Sequence, residues 1–138
     1  MKRVSYFALL SFVALTGSIV LADSFTENTV VSGDEIVLAV GETRDFDVDA
    51  GVTVTVSRVI SGEGVIRKTG LGVLKLDGAN SFTGGVDLVA GELWANAAGA
   101  LGSGPVSFTS NAQVSQLVFT APDATFANDI RFRVVPVA

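Results

Sequence analysis

Val65-Ile66-Arg67-Lys68-Thr69-Gly70-Leu71-Gly72-Val73-Leu74-Lys75-Leu76-Asp77-Gly78-Ala79-Asn80-Ser81-Phe82-Thr83-Gly84-Gly85 is the stretch on which the fold turns. Its apolar residues recur every second position, the period of a half-buried strand. The pieces are short: Val65-Ile66-Arg67-Lys68, Val73-Leu74-Lys75-Leu76, then Val86-Asp87-Leu88-Val89 and Glu92-Leu93-Trp94. Glycines 62, 64, 70, 72, 78, 84, 85 and 91 separate them. Each piece offers one apolar face and is too short for a sandwich strand with long hairpins. Short strands joined by glycine corners suit a chain that bends about three times per coil and stacks coil on coil as a parallel β-helix. An antiparallel sandwich or barrel is served by the same spacing, and pattern alone leaves both open. Alternation predicts that Ile66, Leu74, Leu76, Leu88 and Leu93 face inward and that Arg67, Lys75 and Asp87 face outward. Gly84-Gly85 stands where the chain turns sharply into Val86, a place for positive φ. Asn80 is predicted to bond corner backbone groups that are otherwise buried and unpaired.

The flanks keep this style. Upstream, Glu35-Ile36-Val37-Leu38-Ala39-Val40 is apolar and β-branched, and Asp45-Phe46-Asp47-Val48-Asp49 and Val52-Thr53-Val54-Thr55-Val56 alternate. Downstream, Val106-Ser107-Phe108, Gln116-Leu117-Val118-Phe119, Ala124-Thr125-Phe126-Ala127 and Ile130-Arg131-Phe132 alternate, with Asn111, Pro122-Asp123 and Asn128-Asp129 as turns. No amphipathic helix is offered: the one Ala-rich piece, residues 94–101, is broken by Asn96 and Gly99. The end, Val135-Pro136-Val137-Ala138, is apolar and uncapped. An uncapped solenoid end exposes unpaired strand edge, so the chain is expected to be the first part of something longer.

The N-terminus reads differently. Met1-Lys2-Arg3 is basic, residues 4–15 are almost all apolar, and Val20-x-Ala22 places small or modest side chains before Asp23. These are the three parts of a secretory signal peptide, expected over residues 1–22 and cut between Ala22 and Asp23. A membrane helix is the rival, but Gly17 and Ser18 dilute its far end and no basic stop-transfer cluster follows. Without cysteine, no lipid-anchored leader is available. Residues 23–138 are therefore expected to form the folded part.

Composition excludes several chemistries. There is no Cys and no His among 138 residues. That removes disulfides, thiolate nucleophiles, the commonest general base and the commonest transition-metal ligand. Net charge is −5, and loss of Lys2 and Arg3 with a leader that holds no acid takes it to −7. Such a balance argues against nucleic acid or anionic lipid as partners, which need cationic patches.

Lys68-Thr69-Gly70, Gly72, the alternating Leu74 and Leu76, and Gly78-Ala79-Asn80 through Gly84-Gly85 resemble the autotransporter-associated β-strand repeat, also known as the passenger-associated transport repeat. Gly91-Glu92-Leu93 and Ala100-Leu101-Gly102-Ser103-Gly104 match its later steps. The resemblance covers about residues 62–108, one full repeat. It implies an all-β, right-handed parallel β-helix in the passenger region of a type V secreted protein, with a structural and secretion-assisting role. Implied partners are the secretion machinery, a downstream β-barrel translocator and surface ligands such as glycans. The implied location is outside the cell or on the outer membrane. Only one clear repeat is present where relatives have several, and no translocator barrel is in this stretch, so a fragment or truncated frame is expected. The alternative is a non-catalytic part of a carbohydrate-active β-helix enzyme.

The candidate chemical residues are few. Asp45-x-Asp47-x-Asp49 opens like an EF-hand loop, but Ala50 and Val56 stand where that loop needs Gly and Glu. A solvated acidic edge, with Phe46 and Val48 inward, is the expected reading. Lys68, Lys75, Asp77, Asp87 and Glu92 are spaced to gather on one face, as a lyase would require, yet they match a charged solvent face equally well. No catalytic, cofactor-binding or metal-ligating residue is assigned, and no enzyme activity is expected. Trp94 and Phe82 are candidates either for stacking on sugars or for filling the core.

Overall fold

The computed structural model describes residues 8–9, 19–110 and 114–134. Most of the expected leader, the Asn111 turn and the last four residues lie outside this range. Strand β1 (Ala8–Leu9) pairs antiparallel with β2; every other ladder is parallel. The first turn holds β2 (Ile19–Phe25), β3 (Thr29–Val31) and β4 (Ile36–Leu38). The second holds β5 (Glu42–Val48), β6 (Thr53–Val56) and β7 (Ile60–Gly62). Next come β8 (Val65–Thr69) with β9 (Val73–Leu76), β10 (Val86–Leu88) with β11 (Gly91–Ala95), and β12 (Val106–Ser110) with β13 (Ser115–Phe119). Strand β14 (Ile130–Val134) opens a further turn. The result is a parallel β-solenoid of about five turns, with no helix among the described residues. At about 4.8 Å per strand, five turns rise roughly 24 Å.

Two sheets and a third side enclose the core. Sheet A runs β1-β2-β5-β8-β10-β12-β14 and sheet B runs β13-β11-β9-β6-β3. The third side begins as the β4–β7 pair. It continues without regular strand: Ser81 N–H donates to Ile60 O at 2.8 Å, Thr83 N–H to Gly62 O at 2.9 Å, and Ser103 N–H to Phe82 O at 3.0 Å. The expected strand at residues 124–127 falls on this side and is not strand either; Pro122 and Asp123 do form a turn, with Asp123 at φ 59°.

Alternation places the core as expected. Ile66, Leu74, Leu76, Leu88 and Leu93 are fully buried, while Arg67, Lys75 and Asp87 face outward. Register stacks like on like: Val54, Leu74, Leu93 and Leu117 make one inward column of sheet B. Stacking buries each side chain between its neighbours above and below, which is how such short strands reach full burial. Phe82 fills the core completely. Phe132 continues an inward column and stacks on Phe108 at 5.2 Å, yet it is 77% exposed because no described turn lies beyond it.

The turns of the glycine-rich region are the tightest. Ile66 to Val86 and Val86 to Val106 are each twenty residues apart in register, against 23 for Ile19 to Glu42 and 24 for Val106 to Ile130. Gly64, Gly84 and Gly104 lie one above another at one corner. A Cβ on Gly84 would stand 2.1 Å from Gly64 O. Bare backbone at this corner is what permits the close approach.

Candidate functional site

Charged residues of the repeat divide between the core and two outer faces. Lys68, grouped by sequence with the outward charges, is instead fully buried. The reason is parity: β8 reads half-buried, buried, half-buried, buried, half-buried, so Lys68 must share the inward face of Ile66. Its ammonium donates to Thr69 O at 2.6 Å, Gly70 O at 2.7 Å and Ala90 O at 3.1 Å. Three donors thus meet three corner carbonyls drawn from two successive turns, which makes burial of the charge tolerable.

Burial pushes the Lys68 pKa down to about 8, and the nearby carboxylates of Asp47 and Asp45 pull it part of the way back. Between pH 8 and its ordinary value the unfolded chain holds the proton more tightly than the folded one, so stability rises with pH across that interval. Below pH 8 the penalty is present in full. Urea unfolding of the parent and of Lys68→Met at pH 7 and pH 10 is expected to show the parent gaining on the variant by about 2–3 kcal/mol. A gap that stays constant contradicts this account of the burial.

The outer face of sheet A carries the acids. Register aligns Asp45, Arg67, Asp87, Ser107 and Arg131 in one row. Thr69 Oγ1 donates to Asp45 Oδ1 at 3.0 Å, and Thr109 Oγ1 to Asp87 Oδ1 at 2.6 Å. Desolvation raises the Asp45 pKa, opposed by the Thr69 hydrogen bond and the Arg67 charge. Arg67 Nε is buried without a partner. Phe46 and Val48 point inward beside these acids, as expected. Among the described residues no group of three or more acids is placed to hold a metal ion.

At the first turns an ionic cluster occupies inward positions. Arg44 Nε donates to Asp23 Oδ2 at 2.8 Å, with buried Glu42 at 4.0 Å from Arg44 Nη1. Lys75 and Glu92 lie on sheet B, with Asp77 one residue past the end of β9, and none of them is on the face that holds Asp87. Sheet B therefore separates the residues that a lyase site would have to bring together.

The outer face of sheet B is the other chemically distinct surface. Register aligns Thr55, Lys75, Trp94 and Val118. Trp94 takes the outward parity of β11, half-exposed, between buried Leu93 and Ala95. Its Nε1–H donates to Glu92 Oε2 at 2.8 Å, and Lys75 Nζ lies 4.6 Å from the ring centroid. One step past the strands, Asn96 Nδ2 donates to Asp77 Oδ1 at 2.6 Å and Asn96 Oδ1 accepts from the Thr120 hydroxyl. The Glu92–Trp94 pair was readable as an i, i+2 pair on one strand face; the Asp77–Asn96–Thr120 ladder was not, because it joins three turns.

Comparisons with known proteins agree with the geometry. Residues 66–95 match the passenger-associated-transport-repeat family. Over 89 residues, 64% of this chain, the sequence is 36% identical to the adhesin BmaC autotransporter of Brucella suis biovar 1 (strain 1330). The chain spans about 3% of that relative's length. No solved structure matches.

Proposed function

We propose, from a chain that carries a passenger-associated transport repeat within a parallel solenoid, that it serves as a non-catalytic, adhesive passenger segment of an autotransporter-like surface protein. The observation that carries this reading is the use of the repeat's own residues. Lys68, Gly70, Leu74, Leu76, Asn80 and Gly85 all go into core, corner or turn-to-turn bonding, which leaves the outer faces free to vary. Such a stack holds surfaces away from the cell at a fixed spacing. In this reading residues 1–22 are a cleaved leader, the secretion machinery and a β-barrel translocator are the export partners, and the destination is the cell exterior. Cleavage after Ala22 leaves Asp23 to keep its bond to Arg44. N-terminal sequencing of exported material that still begins at Met1 would contradict it.

Adhesion has its own test. Beads coated with the folded exported chain are expected to bind an epithelial monolayer several-fold better than uncoated beads. Equal binding by the folded chain and the blank sinks the adhesive reading.

A further inference from the structure

The geometry points to the outer face of sheet B, centred on Trp94, as a binding subsite for neutral hexose oligosaccharides. The inference rests on the adhesive reading above and deepens it by naming a ligand class and a place. Sugar recognition needs a flat apolar surface for the C–H face of a pyranose and polar groups at its rim for the hydroxyls. The strand face supplies both. Trp94 is the one Trp of the chain, and its outward neighbours on β6 and β9 are small or β-branched apart from Lys75.

Polar groups flank the ring at both ends of its strand. Glu92 and Asn96 stand two residues to either side of Trp94, about 7 Å each way along the strand. Glu92 continues in register to Gln116, and Asn96 is bonded to Asp77 on the preceding turn. Donors and acceptors therefore stand on both sides of the ring, about 14 Å apart along the strand, a span that suits the outer hydroxyls of a short oligosaccharide whose middle sugar lies over Trp94. Adjacent strands, about 4.8 Å apart, let a chain of sugars run across successive turns.

Charge selects the class. Glu92 and Asp77 outnumber Lys75 on this patch, and the whole chain is at −5. A uronate or sialate would meet net repulsion here, whereas a neutral sugar meets none. Lys75 covers the ring in the free protein through a cation–π contact. That contact is weak at a solvent-exposed site, so a C–H face can take its place.

The single Trp makes the test direct, because all indole emission comes from the proposed site. The exported chain is titrated with cellohexaose, maltohexaose and mannohexaose, and with a heparin hexasaccharide as the acidic probe. At least one neutral hexaose is expected to shift the emission saturably, with little dependence on salt. Calorimetry with the same sugar should show binding weakened about tenfold in Trp94→Ala and in Asn96→Ala. Asn96→Ala is expected to keep the parent's melting temperature, which separates lost binding from lost folding. The inference is overturned if no neutral hexaose perturbs the emission, if Trp94→Ala binds as the parent does, or if only heparin binds. Beads that adhere while Trp94 responds to no sugar would overturn this site and leave the adhesive reading standing. Beads that fail to adhere would remove the adhesive reading itself.

Discussion

Replacing Gly85 by Val is expected to lower the urea midpoint sharply or abolish cooperative unfolding. Gly85 has φ +96°, a region that β-branched residues enter only under strain. A Cβ there would stand 2.4 Å from Pro105 O, and that oxygen already accepts the Val86 N–H at 2.9 Å. Relieving the clash means moving the next turn away and giving up that bond. Strain and overpacking together cost about 3 kcal/mol or more. Against a typical total of about 5–15 kcal/mol, that is a large share. In a stack where each turn is stabilised by its neighbours, the damage spreads to the turns on both sides. An unchanged midpoint for Gly85→Val would show that this corner is not built as described.

Asn80→Leu is the second large effect. The Asn80 amide bridges three turns: its Oδ1 accepts the Ile60 N–H at 2.8 Å, and its Nδ2 donates to Ala100 O at 2.7 Å. It is one of few polar side chains buried with the core. Leucine keeps the volume and leaves one N–H and one C=O without partners, at roughly 1–3 kcal/mol each. Asp47→Asn and Glu92→Gln serve as controls on the outer faces, where changes are expected to stay within about 0.5 kcal/mol. Urea midpoints that fall for Asn80→Leu and hold for the controls support the account. Equal losses across the set would contradict it.

Much of this was legible in the residues. Val73-Leu74-Lys75-Leu76 alternates, and the structure buries Leu74 and Leu76 fully while leaving Val73 and Lys75 half-buried on the outer face. The same rule applied to Val65-Ile66-Arg67-Lys68 required Lys68 to face inward, but its charge argued for solvent. Parity won because three carbonyls wait there: Thr69 O and Gly70 O follow directly in the chain, while Ala90 O sits on the next turn and is brought close by folding alone. The third side was harder to read. It runs through residues 80–83 and 101–103 without regular strand, held by single backbone bonds between turns. Its period was nevertheless present in the chain as Gly64, Gly84 and Gly104, spaced by twenty. The outer face around Trp94 was half legible. Glu92 and Trp94 share a strand, while Asp77 and Asn96 meet only once their turns are stacked.

Cysteine pairing tests the parallel stack most directly, because the chain has no cysteine of its own. Asp87 and Ser107 face each other on adjacent parallel strands, twenty residues apart. Their Cα atoms stand about 5 Å apart, within reach of a disulfide. Arg67 and Ser107 share the same row but lie two strands apart, near 10 Å and out of reach. Mild oxidation of the folded protein is expected to cross-link the Asp87→Cys/Ser107→Cys pair and to leave the Arg67→Cys/Ser107→Cys pair open. Cross-linking of both pairs alike, or of the second pair alone, would contradict a stack of twenty-residue parallel turns.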